Sequence, residues 1–213
     1  GESDDNQGIF RMTTGPAFSL DGTAFGPRLK PYLEYQYIED DDDQDSGQSV
    51  GLGLEYSQLL TSGVTLEAAV ERGIIDRRNL AEDSDFGLVR LGASYRPTPD
   101  LTIGIRARYL DEDFDGLGDD RERYGVRLGI RKGFDGTYLG MQDWSISAFL
   151  RLEQEDFDSG RSDDLNSGGI SVKSYLRENT YIRTSFSVFD RDSSFNVFDD
   201  QDTFFSIEAG VDF

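Results

Sequence analysis

The side chains able to do chemistry in this chain are its charges. Arg90, Arg96, Arg106, Arg108, Arg127, Arg131, Arg151, Lys173, Arg177 and Arg183 fall on alternating positions of segments whose intervening residues are mostly apolar. Glu34, Glu55, Glu67 and Glu71 do the same earlier in the chain. Guanidinium groups recognise carboxylates and phosphates, so a basic series on one face predicts either anion handling or ion pairing with the acids. Nucleophilic and general-base chemistry has little to work with. Histidine and cysteine are absent, which removes Ser–His and Asp–His pairs, thiolate metal sites and disulfides. Carboxylates alone can serve a hydrolase, but among 42 acidic residues no pair stands apart. The expectation is that the chain is not an enzyme. With 42 acidic against 21 basic residues, the net charge of −21 also argues against a nucleic-acid partner.

One acidic stretch has a sharper pattern. Residues 111–122 read D-x-D-x-D-G-x5-E, with Asp111, Asp113, Asp115, Leu117, Asp119 and Glu122 at positions 1, 3, 5, 7, 9 and 12. The stretch resembles the EF-hand calcium loop. That resemblance implies carboxylates from the four aspartates, the Leu117 carbonyl and a bidentate Glu122 around Ca2+. Gly118 stands where that loop has an aliphatic residue, and the flanks read as strands rather than helices. The alternative is a solvated acidic loop. Calcium is the one cofactor indicated.

The elements that must position these charges have a period of two, which is that of strands. Ten segments alternate clearly: 29–37, 50–56, 64–70, 89–95, 101–109, 124–130, 144–152, 170–176, 182–188 and 205–213. Short connectors at 60–63, 97–100, 134–142 and 178–180 take turns with long acidic ones at 39–48, 75–86, 111–122, 155–167 and 190–202. No apolar run is long enough for a transmembrane helix. Residues 1–27 form an N-terminal segment of uncertain role. Positions 10–20 alternate but contain Pro16, so they read as an extra or irregular strand. No basic-then-apolar leader opens the chain, and Gly1-Glu-Ser-Asp-Asp reads as a mature or trimmed start.

In the last segment, Phe205, Ile207, Ala209, Val211 and Phe213 alternate with Ser206, Glu208, Gly210 and Asp212. It resembles the C-terminal targeting strand of Gram-negative outer-membrane β-barrels, with Phe205, Ile207, Val211 and Phe213 as its marks. The resemblance implies an all-β, up-and-down antiparallel transmembrane barrel of ten to twelve strands over residues 28–213. It also implies placement in the bacterial outer membrane with the C-terminus periplasmic. Its partners would be membrane lipid and lipopolysaccharide, the barrel-assembly machinery, and a partner protein or further copies of the chain. Aromatics agree: Tyr35, Tyr37, Tyr109, Tyr124 and Phe205 fall toward one rim, and Tyr56, Tyr95, Trp144 and Phe213 toward the other, as interfacial belts require. A soluble sandwich gives no reason for that sorting.

In a barrel the polar faces point inward, with the early acids on one wall and the later arginines on the facing one. Two readings follow: cross-lumen salt bridges that plug the interior, or a conduit whose arginines pass anions. The features resemble small porins for acidic oligosaccharides, which implies a narrow channel for small, anionic solutes. The competing expectation is a non-conducting barrel whose acidic loops bind calcium, lipopolysaccharide or a protein. A third is the membrane domain of a larger export assembly.

Overall fold

A computed structural model describes residues 7–23, 26–40, 47–77, 83–114, 119–138, 140–176 and 180–211. The strands are β1 (Gln7–Thr14), β2 (Phe18–Ser19), β3 (Arg28–Asp40), β4 (Gly47–Thr61), β5 (Val64–Arg77) and β6 (Ser84–Thr98). They continue as β7 (Leu101–Phe114), β8 (Arg121–Tyr138), β9 (Met141–Phe157), β10 (Ser162–Tyr175), β11 (Thr180–Ser193) and β12 (Asp200–Val211). A 3-10 turn at Asn196–Phe198 interrupts the β11–β12 connection.

All twelve strands belong to one antiparallel sheet in which, from β3 to β12, each pairs with its neighbour in sequence. This is the up-and-down barrel fold. β1 and β2 both lie against β3, with Thr14 opposite Leu33 and Phe18 opposite Leu29. Residues 7–19 are thus one strand broken at Gly15–Ala17, where Pro16 has no N–H to donate. A side chain at Gly15 would run into the Pro31 carbonyl. Among the described residues no ladder joins β1 or β2 to β12.

The sheet is inside-out relative to a soluble protein. Among the described residues the buried hydrophobic ones are Tyr32, Ala69, Phe86 and Leu165, and the pairing register puts all four on one face. Buried Glu71, Glu112, Glu153, Glu155 and Asp163 share that face, so it is the enclosed, inward one. The outward face carries exposed Leu52, Leu91, Ile105, Leu128, Ile170 and Ile207. Ladder hydrogen bonds satisfy the backbone, and apolar side chains cover the outside. That combination is what hydrocarbon demands. Among the described residues no helix is long and apolar enough to cross a membrane.

The apolar band runs obliquely. The outward row begins with Leu33 and Leu52 on β3 and β4, then continues as Arg72, Gly87, Asp111, Glu122 and Asp156 on β5 to β9. Toward the far end the band sits lower, through Ile170, Phe186 and Phe205. Strands tilted against a flat hydrocarbon slab give such a slant.

Strands β3–β12 span 12 to 18 residues, more than the roughly 9–11 needed to cross a bilayer. The surplus projects at the long-loop rim and, in the β8–β9 hairpin, also at the short-turn rim. It corrects the expected connectors: 134–142 is mostly strand, with Tyr138 paired to Met141. Only residues 158–161 separate β9 from β10, and 155–167 is mostly strand rather than loop.

Candidate functional site

The inward face divides into two zones. Toward the long-loop rim it is filled. The Tyr32 hydroxyl donates to Glu71 Oε2 at 2.8 Å and accepts from Arg90 Nη2 at 2.7 Å. Arg108 Nη2 donates to Glu153 Oε2 at 2.7 Å, and its Nε lies 2.6 Å from Oε1 as an ion pair without a hydrogen bond. Arg123 reaches Glu155 Oε1 at 2.6 Å, and Arg121 bridges Glu155 at 3.1 Å and Glu112 at 2.7 Å. Ser84 Oγ donates to the other Glu112 oxygen at 2.6 Å. Asp163, fully buried, accepts from Ser193 Oγ at 2.6 Å, with Arg161 at 3.2 Å and Arg191 at 3.9 Å. A buried carboxylate is tolerated only when paired and hydrogen-bonded, and each of these is through at least one oxygen. Asp163 Oδ2 and the Nε atoms of Arg161 and Arg191 make ion pairs without a hydrogen bond.

Toward the short turns the same face is open. A cavity of about 560 Å³ is lined there by Arg106, Arg127, Arg131, Lys173 and Arg183, with serines and glycines between them. Arg106 meets Glu67 at 3.1 Å, and Arg183 meets Glu208 at 2.9 Å. The Lys173 ammonium lies 3.6 Å from the Tyr181 ring centre. Arg127 stacks on Phe149 at 4.5 Å. Among the described residues no carboxylate comes within ion-pair distance of Arg127 or Arg131.

The residues expected to act on the basis of type and spacing therefore separate. Arg106, Arg127, Arg131, Lys173, Arg183 and Glu67 come together at the cavity. Arg90, Arg108 and Glu71 belong to the filled zone. Arg151 stands beside Arg127 in the register but leans toward Glu153 at 3.8 Å. Glu55 pairs in register with Lys30, and Glu34 accepts from Thr13 Oγ1 at 3.2 Å. Arg96 lies at the short-turn rim, its backbone N–H donating to the Gly63 carbonyl. Arg177 and Phe213 lie outside the described residues. Phe205 and Ile207 are outward and exposed on β12, which ends at Val211.

Acids and bases pair along one strand or with neighbours one or two strands away rather than across the interior. Glu112, Glu155 and Asp163 were absent from the expected acidic wall because they fall in stretches read as loops. The alternation of Arg121 and Arg123 with Glu153 and Glu155, all at i, i+2 spacing, was the available signal.

The acidic stretch 111–122 opens as the end of β7 and closes as the start of β8, with Asp111 opposite Glu122. Asp119 accepts from the Ser159 N–H at 2.8 Å, and Asp120 accepts from the Phe114 N–H at 2.7 Å. Asp115 and Leu117 lie outside the described residues. Among the described residues no group of three acids is placed to hold a metal. Desolvation, then the nearby Asp113, Glu122 and Asp120, push the Asp111 carboxyl above its ordinary value. The Ser162 hydroxyl bond holds Asp156 below its own.

This architecture defines the fold class: an up-and-down antiparallel β-barrel with an apolar outward face, the fold of outer-membrane barrels. No protein-family model and no curated protein matches the chain. Among solved structures it is similar to the COG4313 outer membrane channel from Pseudomonas putida F1, at 13% identity and a TM-score of 0.61. The match covers 96% of this chain and 82% of that one. LpxR from Salmonella typhimurium matches at 10% identity and a TM-score of 0.45, covering 95% of this chain and 88% of that one. The alcaligin outer-membrane receptor FauA from Bordetella pertussis matches at 10% and 0.43, covering 95% and 39%.

These likenesses show the fold. The expectation that the chain is not an enzyme is corrected at this point, because LpxR is an outer-membrane enzyme. A TM-score of 0.45 assigns no activity to this chain.

Proposed function

We propose that the protein is a narrow, porin-like channel that passes small anionic solutes along its arginine-lined wall. The observation that carries this reading is the cavity of about 560 Å³, whose lining holds five basic residues against the single acid Glu67. Such a wall raises the local concentration of anions and repels cations. The Pseudomonas neighbour is a channel of the same fold, which supports the reading without identifying a solute. The short-turn rim and the C-terminus belong on the periplasmic side in this proposal, with the acidic rim outside, beside lipopolysaccharide.

The filled zone favours a second reading, a barrel that conducts nothing and acts through its rim. Planar-bilayer recording separates the two. The channel reading expects stable conductance steps and a reversal potential shifted toward the chloride value in a KCl gradient. Arg106→Ala with Arg127→Ala should erase most of that preference. A barrel that refolds into lipid but stays electrically silent overturns the channel.

A further inference from the structure

The floor of the cavity is specific enough to say what it takes. Gly104 on β7 and Gly129 on β8 are register partners. A Cβ added to Gly129 would meet nothing closer than the Ala148 carbonyl at 3.9 Å, and one on Gly104 nothing closer than the Ala93 carbonyl at 3.7 Å. The two glycines thus leave a pit rather than accommodate a neighbour. Arg127 and Arg131 stand two positions to either side of Gly129 on β8, so all three face inward. The two arginine Cα atoms are roughly 13 Å apart along the strand, a gap that two arginine side chains can close on from opposite ends. Phe149, opposite Gly129 on β9, forms the side wall and carries the Arg127 guanidinium.

The charge here is out of balance. Arg127 lies between Arg106 and Arg151 in the register, three guanidinium-bearing positions on adjacent strands. Like charges directly opposite one another destabilise a sheet. Arg106 has Glu67 and Arg151 leans on Glu153, while Arg127 and Arg131 have no carboxylate within ion-pair distance among the described residues. Two cations at the ends of an empty, glycine-floored pit suit an anion with two charged ends, because each guanidinium can take one oxyanion bidentately.

We infer that this pit is a binding site for small solutes carrying two separated oxyanion groups, held end to end between Arg127 and Arg131. The inference rests on the channel reading for its biological sense, but the site itself does not require conduction.

The test is calorimetric titration of the detergent-folded barrel with adipate, with propionate at matched ionic strength, and with pyrophosphate. Adipate should bind at least tenfold more tightly than propionate. Arg127→Gln and Arg131→Gln should each bring adipate down to the propionate level, and Gly129→Leu should do so by filling the floor. Retained heat-modifiability on gels shows that each variant is folded. Pyrophosphate that binds and loses binding in the same variants supports the two-ended clamp and extends it to phosphates. Equal binding of adipate and propionate, or adipate binding that survives both arginine substitutions, overturns the site. In bilayers adipate should also block the chloride-carried current. Adipate binding to an electrically silent barrel keeps the site and removes the channel, whereas conduction without adipate binding does the reverse.

Discussion

The two zones of the inward face use the same residue types and reach opposite results. Near the long-loop rim the arginines of β6, β7 and β8 meet Glu71, Glu153, Glu155 and Glu112, and the space closes. Near the short turns the arginines of β7 and β8 outnumber their acids, and the space stays open. The glycines record the difference. A side chain at Gly53 would run into the Tyr32 ring, and one at Gly125 would crowd Glu153. At Gly104 and Gly129 it would meet open space. Glycine at Gly53 and Gly125 makes room for a neighbour's side chain, and at Gly104 and Gly129 it leaves space unfilled. Local acid–base stoichiometry, rather than strand number, decides where this interior is solid.

The sharpest way to break that comparison is to remove a shared acid. Glu155 is 1% exposed and serves both Arg121 and Arg123. Glu155→Ala leaves half-buried Arg123 and Arg121 without their shared partner, and should cost about 2–3 kcal/mol in urea unfolding from lipid vesicles. Arg131→Gln in the open zone should stay within about 0.5 kcal/mol of the parent. Equal losses from the two substitutions would dissolve the distinction between the zones.

A smaller effect comes from single methyl groups. Gly53→Ala forces Tyr32 off its bonds to Glu71 and Arg90, and overpacking of this kind costs about 1–3 kcal/mol. Gly129→Ala meets no resistance and should be neutral or gain about 0.5 kcal/mol by restraining the unfolded chain. If Gly53→Ala proves as harmless as Gly129→Ala, Tyr32 is not the plug that the geometry makes it.

Much of this was legible in the sequence, for a physical reason. A strand with lipid on one side and polar interior on the other must alternate, so the ten segments at 29–37 through 205–213 announced both the sheet and the outward face. Alternation fails as a signal beyond the lipid, where both faces are polar. Glu112, Glu155 and Asp163 sit there, which is why a filled zone looked like loops. Residues 10–20 carried the alternation together with Pro16, and both show in the break between β1 and β2. Pairing partners were the least legible part. Arg108 meets Glu153 from two strands and 45 positions away, and only register across β8 brings them together.

The rim gives the smallest effect and a change of sign with which to sharpen the comparison. Asp111 has its carboxyl raised by desolvation and by Asp113, Glu122 and Asp120, so the folded rim holds that proton more tightly than the unfolded chain does. At neutral pH ionised Asp111 therefore opposes folding, and Asp111→Asn should gain about 0.3 kcal/mol at this exposed position. The parent recovers that deficit as pH falls through the raised value, so the gain disappears below the ordinary carboxylate value of 3.8. Asp156 works the other way: its lowered carboxyl, bonded to Ser162, contributes stability above 3.8 that is lost as pH falls. Asp156→Asn should be mildly destabilising at neutral pH, and the two variants should converge on the parent in acid. Calcium supplies the decisive arm. An ion bound at residues 111–122 would turn Asp111 from a liability into a ligand, so millimolar calcium should reverse the sign of Asp111→Asn and leave Asp156→Asn unmoved. An unchanged sign in calcium identifies the stretch as a solvated rim whose acids repel one another.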